Sequence, residues 1–68
     1  MSKWEKIYPN ISKSVKSKGL KLDYVAGYAG LTYTQLYKRL VNSTDFELPV
    51  MRKISQLLGE SMEFLFNG

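Results

Sequence analysis

The sequence predicts a small all-α domain of five helices. Apolar residues recur along successive stretches at the i, i+3, i+4 spacing of an amphipathic helix, and glycine or proline stands at the boundaries between these stretches. No segment alternates between apolar and polar residues with hairpin turns at its ends, so no strand competes with the helices. A chain of 68 residues has room for one core, and its function must therefore lie on its surface.

Residues 1–8 are predicted to be a lead-in to a domain that spans residues 9–68. Trp4 and Ile7 in the lead-in either dock on the domain or remain mobile, and the sequence leaves both alternatives open. The lead-in has no apolar signal-peptide segment after its first lysine, and the chain has no apolar run of the roughly 18 residues that a membrane span requires. A cytoplasmic location is therefore expected.

The first predicted helix begins at Pro9, because the missing N–H of proline needs no partner in a first helical turn. It ends near Lys18, where Gly19 can adopt the left-handed conformation that closes a helix. Ile11 and Val15 form its buried stripe.

Two short helices joined by a tight turn follow. The first is predicted over residues 22–29, and Gly30 ends it directly after the last apolar position. The second is predicted over residues 33–40 with Thr32 as its N-cap, because a threonine oxygen can accept a hydrogen bond from a free N–H of the first turn. The buried side of the second helix holds Leu36 and Leu40.

A loop rich in Asn, Ser, Thr and Asp comes next, and Phe46 is its predicted hydrophobic anchor. The fourth helix is predicted over residues 49–58, and Gly59 is its C-terminal stop. Ser61 caps a final short helix. Either both phenylalanines of that helix join the core, or one of them lies exposed and contributes to a dimer contact.

Composition restricts the chemistry of the chain. It contains no cysteine and no histidine, which excludes disulfides, thiolate chemistry, a histidine base and the usual zinc ligand sets. No carboxylate pair, metal-ligand set or nucleophile with a base is apparent, so the sequence argues against an enzyme and predicts no cofactor.

Positive charge is concentrated in the part of the chain that holds the two short helices. Residues 1–39 contain eight basic and two acidic residues, whereas residues 40–68 contain two basic and four acidic residues. A basic half suggests an anionic partner, although a merely solvated lysine-rich surface would show the same pattern.

The predicted pair, two helices joined by a short turn containing glycine, has the spacing of a helix-turn-helix. The second helix of that motif enters the DNA major groove. An ordinary αα-corner has the same spacing. The content of the second helix favours DNA: at about 100° per residue, Thr34 and Lys38 point away from its buried side, and Gln35 and Tyr37 flank them. These groups can hydrogen-bond to the edges of bases.

Further motifs extend in a regular order from about Tyr8 to Phe66. They are Tyr8-Pro9-Asn10-Ile11, Gly19-Leu20, Val25-Ala26, Ala29-Gly30-Leu31-Thr32, Leu36, Leu40, Thr44-Asp45-Phe46, Leu57-Leu58-Gly59 and Ser61-Met62-Glu63-Phe64-Leu65-Phe66. In this order the chain resembles the phage Cro and repressor type of helix-turn-helix proteins, also called the xenobiotic-response-element type. The resemblance implies a five-helix lambda-repressor-like DNA-binding domain.

The resemblance also implies which residues lie at the DNA. The candidate DNA-binding residues are Thr32, Tyr33, Thr34, Gln35, Tyr37, Lys38, Lys21, Arg39 and Asn42. Lys21-Leu22 replaces the threonine cap and glutamine that are frequent in the family, so Lys21 is expected to contact phosphate by charge alone. Val41-Asn42 replaces the frequent Asn-Gly, so either Asn42 adopts the left-handed conformation or the helix ends differently.

Several of these residues can instead have structural roles that do not involve DNA. Tyr33 and Tyr37 stand four residues apart and can pack together or against the bundle, with Tyr33 nearer the Leu36 side. Lys38 and Arg39 either contact phosphates or form a solvated helix end that the helix dipole favours. Gly27 costs about 1 kcal/mol relative to alanine in a helix, and close packing or close approach would account for it.

The sequence therefore predicts sequence-specific binding of double-stranded DNA by a Cro-like phage or prophage transcriptional regulator, most simply a repressor. An inverted-repeat operator and a homodimer are the expected partners, whereas a membrane and a small-molecule ligand are not. Lysine toward guanine and glutamine toward adenine are the base contacts that chemistry favours. The alternative is a small helical protein-interaction module of the same fold that binds an acidic protein partner.

Overall fold

The computed structural model describes residues 3–42 and 46–67. The helices in these residues are α1 (Lys3–Ile7), α2 (Pro9–Ser17), α3 (Leu22–Tyr28), α4 (Tyr33–Asn42), α5 (Leu48–Leu58) and α6 (Met62–Asn67). No strand occurs in the described ranges, and the all-α class is thereby confirmed. None of the helices described has the length and apolar character needed to cross a bilayer.

The described residues contain six helices instead of the expected five because part of the lead-in is helical. The additional helix, α1, packs against α2 and α4. Trp4 docks on the domain and is only 6% exposed, whereas Ile7 lies at the surface. A helix of five residues is too short to show a recognisable periodicity, and too short to be stable without tertiary contacts. Its place in the fold therefore depends on the burial of Trp4.

The boundaries of the other helices lie within one or two residues of those expected. α5 begins at Leu48, one residue before the proline expected to start it, and ends at Leu58, with Gly59 as its C-cap in the left-handed conformation (φ of 68°). α6 is capped as expected, since the Phe64 N–H donates to Ser61 Oγ at 3.1 Å.

The core draws on every helix of the domain. Its most completely buried large side chains are Ile11, Val25, Leu36, Leu40, Ile54, Leu58 and Leu65. α3 packs against α4 and α5, and α6 packs against α2 and α5. The predicted buried positions Ile11 and Val15 of the first helix and Leu36 and Leu40 of the second helix of the pair are confirmed.

Three aromatic rings join the two ends of the chain to the loop before α5. We call Tyr8, Phe46 and Phe66 the ring cluster. Tyr8 meets Phe46 and Phe66 edge to face at 5.7 Å between centroids in each case, and Phe46 meets Phe66 at 5.0 Å. The predicted anchoring role of Phe46 is thus confirmed. In α6, Phe66 packs on the core, and Phe64 is the exposed phenylalanine at 45%.

Candidate nucleic-acid interface

The turn between α3 and α4 is held by backbone hydrogen bonds. The Leu31 N–H donates to the Ala26 carbonyl at 2.8 Å, and the Gly30 N–H donates to the Gly27 carbonyl at 3.1 Å. This pair of bonds is the Schellman arrangement, which requires a left-handed residue just past the helix. Gly30 supplies it with φ of 80°. The predicted stop at this glycine is confirmed, and it fixes the direction in which α4 departs.

α4 begins with a reciprocal capping box. The Gln35 N–H donates to Thr32 Oγ1 at 3.2 Å, and the Thr32 N–H donates to Gln35 Oε1 at 3.0 Å. The N-cap role of Thr32 is confirmed. The Thr-x-x-Gln spacing is a known signature of this arrangement and was available in the sequence. Because the amide oxygen of Gln35 bonds to Thr32, a two-bond contact of Gln35 with adenine requires the capping box to open.

The structure brings most of the candidate residues together on the outward side of α4. Thr32, Thr34, Gln35 and Lys38 are exposed, as is Tyr33 at 49%. Leu36 and Leu40 lie on the opposite side and are each 1% exposed. The helix therefore has one side that stabilises the core and one side that presents hydroxyl, amide and ammonium groups to a partner.

Tyr33 and Tyr37 pack on each other in a stacked arrangement, with 6.1 Å between ring centroids and 16° between ring planes. Of the alternatives that the sequence left open, packing of the two rings on each other is observed. Tyr33, in the first turn of α4, is exposed, whereas Tyr37, one turn further on, is half-buried and packs against the core. Tyr33 is thus the more accessible of the two rings.

Lys38 and Arg39 are neighbours in the chain with different surroundings. Lys38 is exposed and forms no ion pair with any acidic group in the described ranges. Arg39 forms an ion pair with Glu47, with Nε and Oε1 2.9 Å apart, and its side chain is only 19% exposed. Within the described residues, Lys38 can meet a partner without breaking an existing contact, whereas Arg39 cannot.

The remaining candidates lie at the two ends of the helix pair. Lys21 is exposed at the N-cap of α3, where its side chain makes no capping hydrogen bond. Asn42 is exposed and is the last residue of α4. The choice between its two expected alternatives depends on the residues that follow it, which lie outside the described residues. In the motif Thr44-Asp45-Phe46, the first two residues lie outside the described residues.

α3 adds an aromatic surface beside α4. Tyr24 and Tyr28 are 57% and 42% exposed, and the Lys53 ammonium lies 6.0 Å from the centre of the Tyr28 ring. Gly27 stands between the two tyrosines, and a Cβ atom built there would meet nothing within 4 Å. Close packing within the described part of the chain therefore does not account for this glycine.

The candidate face of α4 differs in shape and position from the cleft between α2 and α6. That cleft has a volume of about 230 Å³, and its lining includes Lys13, Lys18, Glu60 and Phe64. No residue of α3 or α4 lines it. An exposed helix side with hydroxyl, amide and ammonium groups is a surface that the major groove of DNA, about 12 Å wide, can accommodate.

Comparisons with known proteins add no relative. No protein-family model matches the chain, and neither the curated proteins nor the solved structures contain a significant match.

Proposed function

We propose that this protein binds double-stranded DNA sequence-specifically through α4, as a Cro-like phage or prophage transcriptional regulator with a lambda-repressor-like fold. The observation that supports this most is the two-sided character of α4. Leu36 and Leu40 anchor the helix in the core, and Thr34 and Lys38 stand exposed on its outward side. A helix anchored in this way can enter a groove without rearranging the core.

The exposed residues divide into two roles. Lys21 and backbone groups contact phosphates, which contributes affinity that is independent of sequence and falls with added salt. Thr34, Lys38 and Tyr33 contact base edges in the major groove, where a good two-bond contact contributes about 1–3 kcal/mol of discrimination. Lys38 is the residue proposed to contact guanine.

The proposal includes a homodimer on an inverted repeat, because one copy of the domain cannot span an operator with two half-sites. The largest dimension of the fold is 24 Å. Half-sites one helical turn apart are separated by about 34 Å, so a single copy, which has one α4, is too small to contact both. Repression of transcription would then follow from occupancy of the operator.

The decisive experiment is selection from random duplexes. Repeated selection with the purified protein should enrich one sequence with inverted-repeat symmetry. Binding that is sensitive to salt but indifferent to sequence would contradict the proposal. The spacing of the two halves, read from the enriched sequence, tests the proposed dimer.

Two lysine variants test the division of roles on the selected duplex. Lys38→Ala should weaken binding by about 1–3 kcal/mol and relax the preference at one base position. Lys21→Ala is the matched control, because it removes the same exposed side chain and should weaken binding to all sequences alike. Identical behaviour of the two variants would contradict the base-reading role of Lys38.

An interaction module of the same fold is the second candidate, and the tyrosines of α3 favour it. Tyr24 and Tyr28 are exposed, and tyrosine is enriched in protein interfaces. Under this alternative the basic surface binds an acidic protein. A complex with such a protein that survives moderate salt in the absence of nucleic acid would support it, and Tyr24→Ala should then weaken the complex.

A further inference from the structure

We propose that Arg39 and Glu47 are positioning residues that hold the outward face of α4 in place relative to α5, and that Arg39 is not a phosphate contact. This inference rests on the proposed DNA-binding function. It assigns the two neighbouring cations of α4 to different tasks: Lys38 contacts DNA, and Arg39 orders the helix that carries Lys38.

Arg39 joins α4 to the start of α5. Its Nε donates to Glu47 Oε1 at 2.9 Å, and a terminal guanidinium nitrogen donates to the Gln35 carbonyl at 3.0 Å. Glu47 is the N-cap residue of α5. The guanidinium therefore links two helices across residues 43–45, and its rigid planar set of donors suits such a link.

The same hydrogen bonds continue to the beginning of α4. Gln35, whose carbonyl accepts from Arg39, also forms both hydrogen bonds of the capping box with Thr32. A continuous series of contacts thus runs from Glu47 through Arg39 and Gln35 to Thr32. The exposed residue Thr34 lies within the stretch that these contacts order.

A phosphate role for Arg39 would require these contacts to break. A phosphate would have to compete with the Glu47 carboxylate, whose negative charge also opposes the approach of DNA. Lys38 meets neither obstacle, since no acidic group of the described ranges pairs with it. The Glu47 side chain is 57% exposed, so we expect the pair to influence the order of α4 more than the stability of the whole fold.

The salt dependence of DNA binding distinguishes the two roles. On the duplex selected by the full protein, Arg39→Gln should leave the slope of log affinity against log salt unchanged. It should also reduce discrimination against single-mismatch duplexes about two- to fivefold, the range of an exposed ion pair. Lys21→Gln is the matched control and should reduce the slope by about 0.9, the amount expected for one phosphate contact.

Glu47→Gln provides the second test, because it breaks the pair from the other side and leaves every cation in place. It should cause the same loss of discrimination against single-mismatch duplexes as Arg39→Gln, and the slope of log affinity against log salt should not decrease. A slope reduced by about 0.9 in Arg39→Gln would overturn the inference. Unchanged discrimination in either variant would overturn it as well.

Amide hydrogen exchange tests the positioning without DNA. In both Arg39→Gln and Glu47→Gln, the Thr32 and Gln35 amides should exchange about two- to fivefold faster, while the amides of α6 should keep their rates. Unchanged exchange at Thr32 and Gln35 would overturn the inference. If no duplex is enriched but exchange accelerates as expected, the proposed function fails and the positioning of α4 stands.

Discussion

The aromatic residues of the chain ends and those of the helix pair differ in their surroundings. Trp4 and the ring cluster are buried or half-buried, and they join α1, α2, α6 and the loop before α5. The tyrosines of α3 and the first tyrosine of α4 lie exposed instead. The same type of side chain therefore stabilises the fold in one region and forms an accessible surface in the other.

The geometry of the rings reflects this difference. The ring cluster has edge-to-face contacts, which contribute about 0.5–1.5 kcal/mol each beyond the burial of apolar area. Tyr33 stacks on Tyr37 with one ring exposed, so this pair buries less area. Substitutions in the two regions should consequently have effects of different size on unfolding.

Trp4→Ala should have the largest effect on stability. Truncating a buried tryptophan costs about 3–5 kcal/mol, and a domain of this length has a total stability of about 3–10 kcal/mol. Urea unfolding followed by circular dichroism measures the loss. The control is Lys3→Ala in the same helix, which should change the free energy of unfolding by less than about 0.5 kcal/mol. A loss below about 1 kcal/mol for Trp4→Ala would show that α1 does not dock in solution.

Phe66→Ala should destabilise the fold by about 2–3 kcal/mol, because it removes a half-buried ring and two edge-to-face contacts. Phe64→Ala is the matched control on the same helix. Its ring is exposed, so its removal should cost less than about 1 kcal/mol. Thermal melts of both variants measure the difference, and equal losses would contradict the division of α6 into a core side and an open side.

Gly27→Ala should stabilise the protein by about 0.5–1 kcal/mol. The position is helical, and the added methyl group meets nothing within 4 Å. Gly30→Ala is the contrasting control and should destabilise the fold, because φ of 80° is unfavourable for alanine. Urea unfolding measures both. A weaker affinity of Gly27→Ala for the selected duplex, despite higher stability, would identify this glycine as a point of close approach to DNA.

Tyr33→Ala should have the smallest effect on stability, about 0.5 kcal/mol or less, because the ring is exposed. It should nevertheless weaken binding to the selected duplex. Tyr8→Ala is the matched tyrosine control and should cost several kcal/mol of unfolding free energy, since its ring is buried. Comparable losses of stability in the two variants would break the proposed contrast between the two regions.

The sequence predicted the local features of the candidate face well. The stop at Gly30, the cap at Thr32 and the burial of Leu36 each depend on residues within about one helical turn or on a single periodicity, and all three are confirmed. The reciprocal role of Gln35 in the cap is equally local, because it depends only on the three-residue spacing between Gln35 and Thr32.

Contacts between distant segments could not be predicted in the same way. The half-burial of Tyr37 and the pairing of Arg39 with Glu47 depend on how α4 lies against the core and the start of α5. Helical periodicity specifies which side of a helix is apolar, but it does not specify which neighbour covers that side. The exposure of Tyr33 and the withdrawal of Arg39 from solvent therefore became visible only with the packed helices.

The sequence by itself determined the all-α class, the helix stops and caps, and the separation of α4 into a buried and a polar side. These features follow from backbone conformation and from the 3.6-residue period, both of which act over a few residues. The tertiary structure decided that Trp4 docks, that Tyr8 and Phe66 meet from opposite ends of the chain, and that Arg39 is paired with Glu47. Such contacts depend on the relative placement of whole helices, because residues far apart in the chain become neighbours only when the core closes around them.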